Sequence, residues 1–137
     1  MGDVTAAAAE LPPREAFWHF LQHGEIRFQH CDACATPRWP ARTHCHKCLS
    51  TEFAWKPAAE SAEVLTYIVV NRTYVPGREI PFTLIHAQLD DGIRYTGKLA
   101  KTSSGEVKIG ARLRVVLNTD LELPEPEFEV VGDGGSR

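Results

Sequence analysis

The chain has 137 residues, is 43% hydrophobic and 24% charged, and carries a formal net charge of −3. That composition is ordinary for a folded protein and excludes a chain disordered throughout. The length supports one substantial core rather than two independent ones, and the slight acidity leaves no global signature of nucleic-acid binding. The longest uncharged apolar run, Val64 to Val70, falls far short of the roughly 20 residues a membrane span needs. No basic residue precedes Arg14, and Ala6 to Ala9 is too short for a signal core, so no secretory signal is read and a cytoplasmic location is expected.

Residues 1–12 read as a flexible tail and 13–24 as a helix. Pro12-Pro13 followed by Arg14-Glu15 suits a first helical turn, and Gly24 is a natural stop. Phe17, Trp18 and Leu21 make one apolar face, which must pack on this protein or on a partner. Residues 25–57 read as a metal ribbon. Glu25 to His30 alternates, with Ile26 and Phe28 on one side. All four cysteines follow within eighteen residues, as Cys31-Asp-Ala-Cys34, ten intervening residues, then Cys45-His-Lys-Cys48. A two-residue spacer turns both thiolates of a pair to one side of a knuckle, and two knuckles together fit one tetrahedral metal.

One zinc ion per chain fits best, because zinc takes four thiolates with little demand beyond a tetrahedron. Two disulfides would need an oxidising compartment, and a redox Cys-x-x-Cys would sit near a βαβ pattern that is absent. Iron in a rubredoxin-like site is the chemical rival. Such knuckles favour Gly after each second Cys, where this chain has Ala35 and Leu49. With four thiolates the shell is closed, so the metal is expected to be structural. His30, His44 and His46 sit beside the cysteines and are expected to solvate the knuckles or donate to their sulfurs. Between the knuckles, Pro37, Trp39 and Pro40 form a stiff apolar loop. Phe53 and Trp55 alternate just beyond them.

Pro57 to Ala62 reads as a joint to a second unit, an all-β segment over 58–132, with 133–137 a second tail. Strand candidates are Glu63 to Tyr74, Thr83 to Leu89, Ile93 to Ala100, Arg112 to Asn118 and Phe128 to Val131. Asp90-Asp91-Gly92 is a hairpin signal. Five short strands without helical periodicity point to a small barrel, with the OB-fold as the five-stranded candidate. The fold class is therefore mainly β: one helix, a ribbon, then a barrel. From Arg72 to Arg114 eight bases face four acids. Arg94 and Lys98 share one strand face, and Arg112 and Arg114 share another. Either these residues line an ordinary solvated exterior, or Arg72, Arg94, Lys98, Arg112 and Arg114 meet phosphates, as of coenzyme A or a nucleic-acid backbone. Tyr67, Tyr74, Phe82 and Tyr95 would stack bases if they gathered on one open face. No nucleophile constellation or Gly-rich phosphate loop is present, so no catalytic residue is assigned.

The ordered set of these features resembles the family known as domain of unknown function 35. It comprises Phe17-Trp18, the four cysteines, Val64-Leu65-Thr66-Tyr67-Ile68-Val69, Ile80-Pro81-Phe82, Leu89-Asp90-Asp91-Gly92 and Ile109-Gly110. Where such sequences often have a Gly-x-Gly joint, this one has Ala59-Glu60-Ser61-Ala62; where they often have Pro in the second knuckle, it has His46. The resemblance implies a rubredoxin-like zinc ribbon joined to an OB-fold. It further implies a chain without activity alone, supporting a thiolase-like, aldolase or acyltransferase catalytic subunit and helping to bind acyl-CoA. Single-stranded nucleic-acid binding is the alternative, which the acidic stretch from Asp120 to Glu129 disfavours.

Overall fold

The computed structural model describes residues 10–72, 80–101, 103, 106–119 and 124–132. Helix α1 spans Pro13–Gln22. Proline is tolerated at its start because an amide there would have no helical partner. Its end is a paired cap: the Gly24 amide donates to the Leu21 carbonyl at 3.0 Å and the Glu25 amide to Phe20 at 2.9 Å. This closure needs a left-handed residue, and Gly24 supplies it with φ +83°. The buried helical face is Ala16, Phe17, Phe20 and Leu21. Trp18, expected on that face, stays 38% exposed.

A three-stranded sheet follows, with β1 (Arg27–Cys31) between β2 (Pro37–Arg38) and β3 (Phe53–Pro57). The loop expected between the knuckles thus contains a short strand, with Pro37 and Arg38 opposite His30 and Gln29. Buried Gln29 fastens that region: its Nε2 donates to the Arg42 carbonyl and its Oε1 accepts the Arg42 amide, both at 2.9 Å.

The remaining strands are β4 (Ser61–Val70), β5 (Phe82–Leu89), β6 (Arg94–Leu99), β7 (Arg112–Asn118) and β8 (Glu125–Gly132). They close a barrel in the order β4-β5-β6-β8-β7, with β6 and β8 parallel. This is the five-stranded Greek-key closure expected of an OB-fold. Several strand bounds differ by one or two residues from the sequence reading, and two differ by more. β4 ends at Val70 within the described residues, and Tyr74 lies outside them. β8 begins at Glu125 rather than Phe128. Pro126 is accommodated because β6 pairs with β8 only at Glu127 and Phe128, leaving one edge of β8 open at the proline. The hairpin at Asp90-Asp91-Gly92 forms as read, with Gly92 at φ +97° and its amide donating to Leu89 at 2.9 Å.

The ribbon and barrel share one core. Phe17 and Leu21 of α1, Phe28 of β1, and Val64, Ile85, Ile93, Leu113 and Phe128 of the barrel region form a single buried cluster. Phe17 is its hub, with ring centroids at 4.5 Å from Trp39, 5.6 Å from Phe28 and 6.3 Å from Tyr95. The aromatic interior of the ribbon is therefore continuous with the barrel. The joint is fixed as well: the Ala58 amide donates to Ile26 at 2.8 Å and the Ala59 amide to Asp91 Oδ2 at 3.1 Å.

Candidate metal centre

The two knuckles are built alike. Ala35 and Leu49 amides donate to the Cys31 and Cys45 carbonyls at 2.9 and 3.0 Å. The Cys31 and Cys45 amides donate to Thr36 and Ser50 at 2.9 and 2.8 Å. Each turn requires a left-handed residue after its second cysteine, and Ala35 and Leu49 take that role at φ +64° and +65°. The absence of glycine therefore does not prevent the knuckle; it leaves strain in it. Leu49 is 73% exposed and has little packing to lose. Leu49→Gly is expected to raise unfolding free energy by about 1 kcal/mol, read from urea titration of the zinc-loaded protein.

The four sulfurs lie within 4.8 Å of one another. Cys31 Sγ is 3.6 Å from Cys48 Sγ, and Cys34 Sγ is 3.6 Å from Cys45 Sγ, so the close pairs run between knuckles. A zinc tetrathiolate with bonds of about 2.3 Å has sulfur–sulfur edges of about 3.8 Å, whereas a disulfide bond is about 2.05 Å. All four cysteines are free, with Cys31 and Cys45 buried and Cys34 and Cys48 facing solvent.

Electrostatics favour a cation. The Cys48 and Lys47 amides point at Cys45 Sγ, at 3.5 and 3.3 Å, and bring its thiol down to about 6. The Cys34 amide likewise lowers Cys31. Cys48, although the Ser50 amide favours its thiolate, is pushed up to about 11 by the sulfurs of Cys31, Cys34 and Cys45. The sulfurs compete for negative charge at this spacing, and a dication removes the competition. The donor set therefore fits one structural zinc ion.

The histidines were read as solvating the knuckles or donating to sulfur; exposed His44 and His46 fit the first role, and backbone amides take the second. His44 Nδ1 pairs with Thr43 Oγ1 at 2.9 Å, and His46 is exposed. The half-buried His30 is lowered by desolvation, with Asp91 opposing. Thr36 Oγ1, 3.1 Å from Cys34 Sγ, is the side chain that reaches a sulfur. Its place two residues after a cysteine was the available signal.

The five basic residues are not brought together. Arg94 and Lys98 lie on β6 and Arg112 and Arg114 on β7, strands that are not neighbours in the barrel. Arg112 Nη2 is held by Asp90 at 2.8 Å and Arg114 Nη2 by Glu129 at 2.6 Å. Arg94 Nε donates to Gln88 at 3.1 Å, Lys98 Nζ lies 5.6 Å from the Phe82 ring, and Arg72 is exposed. Nor, among the described residues, do the aromatics form an open stacking face. Tyr95 packs against Phe17, Phe28 and Trp39, and burial, with Glu125 nearby, holds its phenol above the ordinary range.

The far end of β4 is uncovered among the described residues. β7 pairs only with Ser61 to Glu63, so beyond a bulge after Val64 the strand has β5 on one side and, among the described residues, no partner on the other. Tyr67, Ile68 and Val69 on this arm are 37%, 58% and 52% exposed. No helix among the described residues is long and apolar enough to cross a membrane.

A thiol quartet on twin knuckles, fused through one core to a five-stranded barrel, defines a zinc-ribbon–OB-fold protein. The family pattern described as "ChsH2, rubredoxin-like zinc ribbon domain" matches residues 18–54, and "ChsH2, C-terminal OB-fold domain" matches residues 55–118. The chain belongs to the domain-of-unknown-function-35 family. It is 31% identical over 117 residues to a probable enoyl-CoA hydratase alpha subunit of Thermomonospora curvata, aligning 82% of this chain but 36% of that one. It is 30% identical over 90 residues to a DUF35 domain-containing scaffold protein of Methanocaldococcus jannaschii, covering 63% of this chain and 62% of that protein. Among solved structures, it is similar to a chain of the Ltp2-ChsH2(DUF35) aldolase, with TM-score 0.76 and 25% identity, covering 89% of this chain and 97% of that one. The chain spans about a third of the length of the hydratase relative it matches.

Proposed function

We propose that the chain is a non-catalytic subunit of an acyl-CoA-processing assembly, docking on a thiolase-like or aldolase catalytic partner. Cys31, Cys34, Cys45 and Cys48 hold one zinc ion, which supplies a closed crosslink with no position open to substrate or water. The carrying observation is the β4 arm: an apolar strand whose edge is unpaired among the described residues is poorly tolerated in water and is normally covered. The relatives support the reading, since their names are those of a hydratase subunit, a scaffold and an aldolase with its DUF35 component.

Acyl-CoA passes near the same arm. Arg72 lies two residues beyond Val70, the pairing partner of Phe82, over whose ring Lys98 sits. These cations flank the apolar surface where a nucleotide phosphate meets an acyl-carrying interface. Arg112 and Arg114, already neutralised by carboxylates, contribute less.

The test is affinity purification of the tagged chain from its own host. An acyl-CoA enzyme, identified by mass spectrometry, is expected at stoichiometric yield. Ile68→Asp is expected to weaken the pair by 30-fold or more, about 2 kcal/mol for a charge placed in an apolar interface. Turnover of acyl-CoA by the isolated chain, or salt-dependent binding of a labelled oligonucleotide, would overturn the reading.

A further inference from the structure

Arg38 is 1% exposed, the only basic residue so enclosed among the described residues. Its Nη1 donates to the Arg42 carbonyl at 3.0 Å, while Nε and Nη2 have no hydrogen-bond partner. No carboxylate among the described residues pairs with it. A guanidinium does not shed its proton, and a buried charge without a counter-charge is strongly unfavourable. Among the described residues, then, the compensating negative charge is not a paired carboxylate.

Strand register locates it. Arg38 stands opposite Gln29, and Phe53 opposite Cys31. Cross-strand partners share a face, as do residues two apart on one strand. Arg38, Gln29, Cys31 and Phe53 therefore occupy one face of the ribbon sheet. The Arg38 guanidinium carbon lies 5.1 Å from the Phe53 ring centroid. The guanidinium thus lies over the face that Gln29, Phe53 and the ligand-bearing Cys31 share. Four thiolates on one Zn²⁺ make a net dianion, and half of that quartet is buried.

We propose that Arg38 is the internal counter-cation of the zinc–tetrathiolate centre. It acts through space on the charge of the centre and does not ligate the metal. Each charge offsets the burial of the other, which explains why a full cation with two unsatisfied donors is kept in the ribbon. The inference rests on the zinc reading and is independent of the partner reading.

The test uses the full-length zinc protein, after metal analysis of the parent has given one zinc per chain; a parent without zinc removes the premise, not the counter-cation step alone. Zinc is titrated at fixed pH with a chromophoric chelator in Arg38→Lys, Arg38→Met and Arg38→Gln. The uncharged variants are expected to lose zinc at about 10–100-fold lower chelator, the range for groups that tune a metal centre, while Arg38→Lys stays close to the parent. Cobalt-loaded Arg38→Met should show its thiolate-to-metal bands at lower energy, because sulfur without the cation holds its electrons less tightly. A purely packing role gives the opposite order, with methionine tolerated and lysine impaired. Parent-like zinc retention by Arg38→Met, or unmoved cobalt bands, overturns the proposal. Where Arg38→Met does not fold, Arg38→Gln, which keeps a donor for the Arg42 carbonyl, carries both measurements.

Discussion

Cys45→Ser is expected to unfold the barrel as well as the ribbon. Structural zinc contributes on the order of 10 kcal/mol to domains of this kind, comparable to the roughly 5–15 kcal/mol that holds a whole domain folded. Cys45 is buried, and its sulfur accepts two backbone amides as well as facing Cys34. Without the metal the knuckles lose the crosslink that sets β1 against the loop carrying Trp39. Phe28 and Trp39 belong to the same cluster as Ile85 and Phe128, so their loss opens the barrel core. The expected result is one shared transition: far-UV circular dichroism, dominated by the barrel strands, and tryptophan fluorescence, which reports the ribbon, collapse together in the variant and on chelation of the parent. A barrel that retains its strand signal after zinc removal would show two separable units instead.

Phe17→Ala is the second large effect, expected to cost about 3–5 kcal/mol. Phe17 is 1% exposed and touches Trp39, Phe28 and Tyr95, so truncation leaves a cavity at the meeting point of helix, ribbon and barrel. The aromatic neighbours are held by strands on both sides and have little room to collapse inward. Phe17→Leu, which keeps most of the volume, is expected to retain more than half of the lost stability. Chemical denaturation of the zinc-loaded proteins at equal concentration measures both. A loss below about 1 kcal/mol for the alanine variant would mean that the helix is only loosely docked.

Much of this architecture could be read in the residues. The helix stop at Gly24, the cysteine spacing and the Asp90-Asp91-Gly92 hairpin are local signals, each forced by backbone chemistry within a few positions. The barrel followed from five short segments without helical periodicity. What escaped depended on register. Nothing local in Pro37-Arg38 reveals a strand, because its hydrogen bonds go to β1. Pro126 looked like a breaker only because its open edge is defined by where β6 ends. Arg112 and Arg114 read as free cations, yet Asp90 and Glu129 reach them across turns and strands. Nothing local marks Arg38 for burial, which depends on the pairing of three strands. The donors to sulfur were missed for a related reason: they are main-chain amides, present in every residue and distinguishable only by the turn that aims them.

Asp91 holds more together than a hairpin residue usually does. One carboxylate oxygen closes its own turn through the Ile93 amide, and the other grips the Ala59 amide in the joint. Gly92 beside it leaves just enough room for Pro37 of the ribbon, whose ring would lie 3.3 Å from any added Cβ. The border between the two matched patterns, at residues 54 and 55, is therefore not a mechanical one. Cloned as halves, each piece would carry a raw aromatic wound where the other belongs. Ribbon and barrel are thus welded by their shared core and joint.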